Sequence, residues 1–194
     1  MLDGKRIAIL VEEGFEGLEL AEPMRAMKAA NGRVVIVGAA TQKSHRSRND
    51  KKMITAELAA EAAKAGDFDA VIIVGGHHRD TATANWAMVE LVRQAHQLGR
   101  VVAAASGGQQ LLILAGIVKG RRLTSPPSLA PALRNAGADW VDEAVVRDGN
   151  IITSRKPADI PMFNKAIIDT VAAGIPLSDN LQQGEIGATA HHSL

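Results

Sequence analysis

Residues Val101 to Gly116 read VVAAASGGQQLLILAG. Five small apolar residues run into Ser106-Gly107-Gly108, and a helical pattern begins at once. An uninterrupted apolar run of this length fits a strand buried on both faces. Ser106 then falls at a sharp strand-to-helix turn, where a side chain is exposed at a helix N-terminus. The helix dipole and free amides at such a turn favour developing negative charge. Gly107 and Gly108 keep side chains away, so that backbone and ligand can approach. An ordinary helix cap also reads Ala-Ser-Gly. The stretch alone leaves Ser106 open as a nucleophile or as a cap.

Outward from this stretch, short apolar runs alternate with helical patterns along the whole chain. Arg6–Val11 (RIAILV), Arg33–Gly38 (RVVIVG) and Asp69–Val74 (DAVIIV) read as buried strands. Leu18–Ala30 reads as a helix with Leu20, Met24 and Met27 on one face, with Pro23 disturbing it or starting its regular part. Asn31-Gly32 would close that helix in a left-handed cap. Leu58–Ala65 suggests a short Ala-rich helix, and Asn85–Leu98 an amphipathic one with Met88, Leu91, Val92 and Ala95 at helical spacing. Pro131–Ala136 suggests another short helix. Trp140–Arg147 and Asn150–Ser154 suggest a hairpin joined at Asp148-Gly149, and Ile160–Ala173 a closing helix. Such alternation predicts an α/β domain, a three-layer sandwich with a mostly parallel central sheet covered on both faces.

The chain has 194 residues, of which 46% are hydrophobic, enough for one domain with a sizeable core. The domain is expected over residues 1–174. The tail over 175–194 lacks periodicity and is expected to be disordered or to pack on a neighbouring subunit. With 22 basic and 21 acidic residues the net charge is +1, which points to neither a nucleic-acid nor a membrane partner. The one basic run, Lys43–Lys52 (KSHRSRNDKK), is broken by acids and amides and lacks interleaved aromatics, so it reads as a solvated loop. Cysteine is absent, which excludes disulfides, thiolate metal sites and a cysteine nucleophile. The N-terminal apolar run is too short for a signal peptide, and no run approaches the ~20 residues that span a bilayer. A cytoplasmic location is the resulting expectation.

In open α/β sheets ligands gather beyond the carboxyl ends of the strands. Three such ends are candidates here: Glu12-Glu13-Gly14-Phe15-Glu16, Gly75-Gly76-His77-His78-Arg79-Asp80, and Ser106-Gly107-Gly108. Gly75-Gly76 is too short for a dinucleotide fingerprint. His77 and His78 are candidate pocket residues. Their adjacency and Asp80 do not make a metal site, because neighbouring side chains point apart. His191-His192 reads as solvated, and Arg155 as structural or part of a subunit contact. Neither a metal nor a cofactor is expected.

Four blocks carry a family resemblance: EGFEGLEL (Glu13–Leu20), DAVIIVGG (Asp69–Gly76), VVAAASGGQQLLILAGIVKGRRLTS (Val101–Ser125) and ADWVDEAVVRDGNIITSRKPAD (Ala138–Asp159). With them the chain resembles the ThiJ/PfpI family, of the class I glutamine amidotransferase-like, flavodoxin-like fold, over about Lys5 to Val171. The resemblance implies a nucleophile elbow that normally ends Cys-His-Gly-Pro, with a glutamate from the first strand's loop touching the cysteine. Ser106 stands at the cysteine position, Gly107 at the histidine, Gly108 at the glycine and Gln109 at the proline. Glu16 falls on the glutamate, and Thr124-Ser125-Pro126 lies where some members carry a further histidine. The resemblance also implies oxyanion-hole amides at Gly76 and Gly107 and a dimer or hexamer.

A serine hydroxyl is far more basic than a thiol and needs an adjacent general base. Two readings follow. In the first, the elbow is degenerate, family-type cysteine catalysis is absent, and the protein binds a small-molecule or peptide ligand or serves as a stress-related oligomer. In the alternative, Ser106 with Glu16 makes a serine-dependent hydrolase acting on peptides, amides or small carbonyls.

Overall fold

The computed structural model describes residues 1–75 and 84–174. Strands β1 (Arg6–Leu10), β2 (Arg33–Gly38), β5 (Leu58–Ala59), β6 (Ala70–Ile73), β7 (Val101–Ala105), β10 (Val145–Asp148) and β11 (Ile151–Ser154) form one seven-stranded sheet. Its order is β10-β11-β7-β6-β1-β2-β5, and every pairing is parallel except the antiparallel edge strand β10. The chain runs outward from β1 to β2 and then returns to place β6 on β1's other side. That reversal is the switch point of a flavodoxin-like sheet, and it opens a crevice at the carboxyl ends of β1 and β6.

Both faces of the sheet are covered, which explains the lack of polar alternation in the strands. Ala8, Leu10, Val35, Val37, Val71, Ile73, Val102 and Ala104 face one core with α2 (Trp86–Gln97) and α3 (Gln109–Leu114). Ile7, Ile9, Val34, Ile36, Ala70, Ile72, Val101 and Ala103 face the other with α1 (Gly17–Ala29) and α5 (Ile160–Ala173). Phe163 and Ile167 of α5 are fully buried. Each such side chain contributes about 1.5–3 kcal/mol of apolar burial. The three-layer α/β sandwich is therefore as the sequence predicts.

The helix boundaries follow from local chemistry. The Asn85 side chain caps α2 by accepting the amides of Ala87 at 3.0 Å and Met88 at 3.3 Å. At the end of α1, Asn31 sits at φ 68°, and the Gly32 amide reaches back to the Met27 carbonyl at 2.9 Å. This is the left-handed cap expected from Asn31-Gly32.

Three local expectations differ from the structure. Leu58–Ala65 is not a helix: Leu58 and Ala59 pair with Val37 and Gly38 as the short edge strand β5, followed by 3₁₀ turns at Ala60–Ala62 and Ala65–Asp67. Alanine propensity over so few residues does not overcome the cost of nucleating a helix, and the sheet edge offers hydrogen bonds instead. The first arm of the C-terminal hairpin is broken. Asp139–Trp140 (β9), which follows α4 (Ala130–Asn135), pairs in parallel with Arg122–Leu123 (β8), and the antiparallel pairing starts only at Val145. Asp148 pairs with Ile151, so the turn residues are Gly149, at φ 57°, and Asn150.

The basic run is also ordered. Ser44–Arg46 (β3) and Met53–Thr55 (β4) form an antiparallel hairpin that buries His45. Burial holds the His45 imidazole below its ordinary pKa, against the pull of Glu13 and Glu12, while Lys43 lowers it further. The hairpin is laced onto the loop after β1. The Gly14 amide bonds the Arg46 carbonyl, and the Arg48 amide bonds the Phe15 carbonyl, both at 2.9 Å. A charged segment thus becomes one wall of the crevice at the switch point.

Candidate functional site

Three chain segments meet beyond the carboxyl ends of β1, β6 and β7. Ser106 follows β7 at φ 49°, a left-handed conformation unfavourable for a residue with a Cβ. It opens a 3₁₀ turn, Ser106–Gly108, that continues into α3. Gly108 lies beneath this turn, where an added Cβ would stand 2.8 Å from the Ile73 carbonyl oxygen. Its role is close packing of the elbow on β6, whereas Gly107 lines the pocket above.

The Ser106 hydroxyl donates to the Glu19 carboxyl group. The other Glu19 oxygen accepts the Gly75 amide at 3.0 Å. Glu19 is 1% exposed, and burial raises its pKa above the ordinary value of 4.5. The hydrogen bonds from Ser106 and Gly75 oppose that rise, and the charge of Glu16 adds to it. Gly75 has no room for a side chain, since a Cβ there would come 2.3 Å from Glu19 Oε2 and 3.2 Å from Ser106 Cβ.

Glu16, the glutamate assigned to Ser106 from the sequence, is not its hydrogen-bonding partner. It is the N-cap residue of α1 and lines the same pocket, but its carboxylate accepts from Asn49 Nδ2 and stands 4.0 Å from the Arg48 guanidinium. Glu19 lies at the third position of α1. Helical side chains lean toward the helix N-terminus, so a carboxyl at that position reaches back toward the strand ends. The sequence did carry a signal. Glu19, Pro23 and Met27 recur every four residues, and all three are buried on the sheet side of α1.

Gln109 is a second residue that the pattern did not reveal. It is fully buried, and its Nε2 donates to the carbonyl oxygens of Ser154 at 2.7 Å and of Ala104 and Thr124 at 3.3 Å each. One side chain thereby ties β7, β11 and the segment after β8 together under the elbow. Arg155, expected as structural or as part of a subunit contact, bonds Asp159 and Asp142, and these carboxylates hold its guanidinium above the ordinary value. The Arg155 carbonyl lies 3.5 Å from Ser106 Oγ.

The cavity over Ser106 has a volume of about 660 Å³. Glu16, Glu19, Arg48, Gln110 and Ser128 supply its polar lining, and Pro126, Leu129 and Pro157 its apolar one. Gly76, His77, His78 and Asp80 fall outside the described residues, as does the tail over 175–194 with His191 and His192. Among the described residues no group of three or more metal-ligating side chains gathers. None of their helices is long and apolar enough to cross a membrane.

The family model described as DJ-1/PfpI family matches residues 5–170. The chain is 33% identical over 155 residues to Deglycase TK1284 of Thermococcus kodakarensis, covering 80% of this chain and 92% of that protein. It is 34% identical over 163 residues to General stress protein 18 of Bacillus subtilis, covering 84% and 95% respectively. Among solved structures, Drosophila melanogaster DJ-1beta superposes with a TM-score of 0.78 at 26% identity, over 96% of this chain and 99% of that one. With the flavodoxin-like sheet, the elbow and these matches together, the chain belongs to the DJ-1/PfpI family.

Proposed function

We propose that this protein binds a small polar ligand in the elbow pocket without nucleophilic catalysis of the cysteine type. The observation that carries the reading is the state of Ser106. Its position offers a hydroxyl in place of a thiol, and that hydroxyl is spent on Glu19. Burial raises the Glu19 pKa and so disfavours the ionised form that a base needs. Among the described residues no imidazole lines the cavity. The pocket keeps a preorganised hydrogen-bonding floor with an apolar wall, the composition of a small-molecule site. Relatives named as deglycases and as a stress protein make reactive carbonyl compounds and their adducts the first ligands to try. An oligomer is part of the same proposal and is tested by the mass of the protein in solution.

A second reading has its own support. The hydrogen bond from Ser106 to Glu19 is the geometry of a hydroxyl paired with a carboxylate base, which would serve a hydrolase once Glu19 is ionised. A fluorophosphonate probe separates the two. Ligand binding without labelling, detected by calorimetry with methylglyoxal and its amine adducts, supports the first reading. Labelling that disappears in Ser106→Ala overturns it and establishes the second.

A further inference from the structure

The rim of the elbow pocket carries one anion and one cation that form a long ion pair without a direct hydrogen bond. Glu16 Oε1 and an Arg48 guanidinium nitrogen are 4.0 Å apart, too far for a hydrogen bond. Both residues are anchored through their backbones. The Glu16 amide bonds the Gly75 carbonyl at 3.0 Å, and the Arg48 amide bonds the Phe15 carbonyl at 2.9 Å. Asn49 holds the Glu16 carboxylate from its other side. The hairpin tip behind them is braced as well, with the Ser47 amide on the Lys52 carbonyl at 2.8 Å and the Lys52 amide on Ser47 Oγ at 3.0 Å. The backbones of Glu16 and Arg48 are thus held at the mouth of the cavity that both side chains line.

From this pair we infer that the pocket takes ligands bearing a free α-amino acid group, with Glu16 receiving the ammonium and Arg48 the carboxylate. In such a zwitterion the two charges sit on neighbouring atoms of one carbon, so they meet two opposite charges about 4 Å apart without strain. A simple anion at Arg48 would face the Glu16 carboxylate, and a simple cation at Glu16 would face the guanidinium. Only a ligand with both charges is favoured at both positions. A long, partly exposed ion pair adds little by itself, so its replacement by two direct pairs costs little. Arg48 can hold a carboxylate through two parallel N–H donors. The ligand's side chain then points from the rim into the cavity, toward Ser106 and Gly107 and along Pro126, Leu129 and Pro157.

This inference rests on the elbow pocket being a ligand site, and its test is independent of whether Ser106 reacts. The full chain is titrated by calorimetry with L-serine, L-glutamine and L-methionine, and with the Nα-acetyl and carboxamide forms of each. At least one free amino acid is expected to bind ten-fold or more tightly than both of its blocked forms. Arg48→Gln is expected to remove the advantage over the carboxamide, and Glu16→Gln the advantage over the Nα-acetyl form. Arg48 is exposed and Glu16 half-buried, and circular dichroism confirms that each variant is folded. The inference is overturned if no free amino acid binds, if blocked forms bind equally well, or if the preferences survive both substitutions. Labelling of Ser106 by a fluorophosphonate would overturn the non-catalytic reading and leave this preference standing.

Discussion

The Ser106 hydroxyl and the Glu19 carboxyl are hydrogen-bonded across the switch point of the sheet, 87 residues apart in sequence. This contact binds the elbow after β7 to the first turn of α1. It places a carboxyl group with a raised pKa in the pocket lining, and the consequences can be measured.

The first concerns pH. Burial raises the folded-state pKa of Glu19 above its ordinary 4.5, so the folded protein holds this proton more tightly than the unfolded chain. Its contribution is complete below about pH 4.5 and is lost as pH rises through the folded value. Glu19→Gln removes the titration. Urea melts from pH 4.5 to 8 should show the variant gaining on the parent as pH rises. A difference that stays constant across this range would refute the assignment.

Ser106 has φ 49°, so the cost of its Cβ can be separated from the loss of its hydroxyl. Ser106→Ala and Ser106→Gly both free Glu19 Oε1, but only glycine relieves the left-handed backbone. Ser106→Gly is expected to be the more stable of the two by about 1 kcal/mol. Chemical denaturation at pH 7 reads the difference, and the reverse order would show that the turn is unstrained.

The chain has no cysteine, so Ser106→Cys introduces a single thiol whose labelling is unambiguous. Placed at the N-terminus of the turn that leads into α3, that thiol should have a lowered pKa. It should react with iodoacetamide at pH 6 several-fold faster than free cysteine does. Equal rates would mean that the elbow no longer stabilises an anion.

Gly75→Ala forces a Cβ into the space held by Glu19 Oε2. A destabilisation of about 1–3 kcal/mol is expected from overpacking. Displacement of the carboxyl should also flatten the pH dependence, as Glu19→Gln does. A melt series that retains the parent's pH profile would place the titrating group elsewhere.

Gln109→Leu should cost about 2 kcal/mol or more, because it leaves the buried carbonyls of Ala104, Thr124 and Ser154 without their shared donor. Gln110→Leu, on the half-buried pocket side, should stay within roughly 0.5 kcal/mol of the parent. Similar losses at both positions would deny Gln109 its bracing role.

Much of the frame was legible in the sequence. Val101–Ala105 and Arg33–Gly38 occur as strands with the expected ends, because strands buried on both faces leave an uninterrupted apolar run. Ile160–Ala173 occurs as the closing helix, with its buried positions on one stripe. Leu58–Ala65 pairs as a sheet edge rather than forming a helix, because alanine propensity says nothing of an available edge. The Lys43–Lys52 run is solvated as expected apart from His45 and Ser47, but composition could not show its pairing with Met53–Thr55 and with the loop after β1. Glu16 and Glu19 lie one helical turn apart in the same acidic block. The spacing from β1 could not decide which of them reaches Ser106.

By itself the sequence determined the α/β class and a sharp strand-to-helix turn at Ser106, which residue identity and periodicity read directly. That Ser106 and Gly107 stand at the family's cysteine and histidine positions is what the resemblance implies, not what periodicity shows. Only the tertiary structure decided that Glu19 is the partner of Ser106, that Glu16 faces Arg48 at the rim, and that Gln109 braces the floor. Each of those contacts depends on the directions of side chains from segments brought together by the parallel crossovers. Such directions are set by packing around the whole sheet and leave little trace in any one segment.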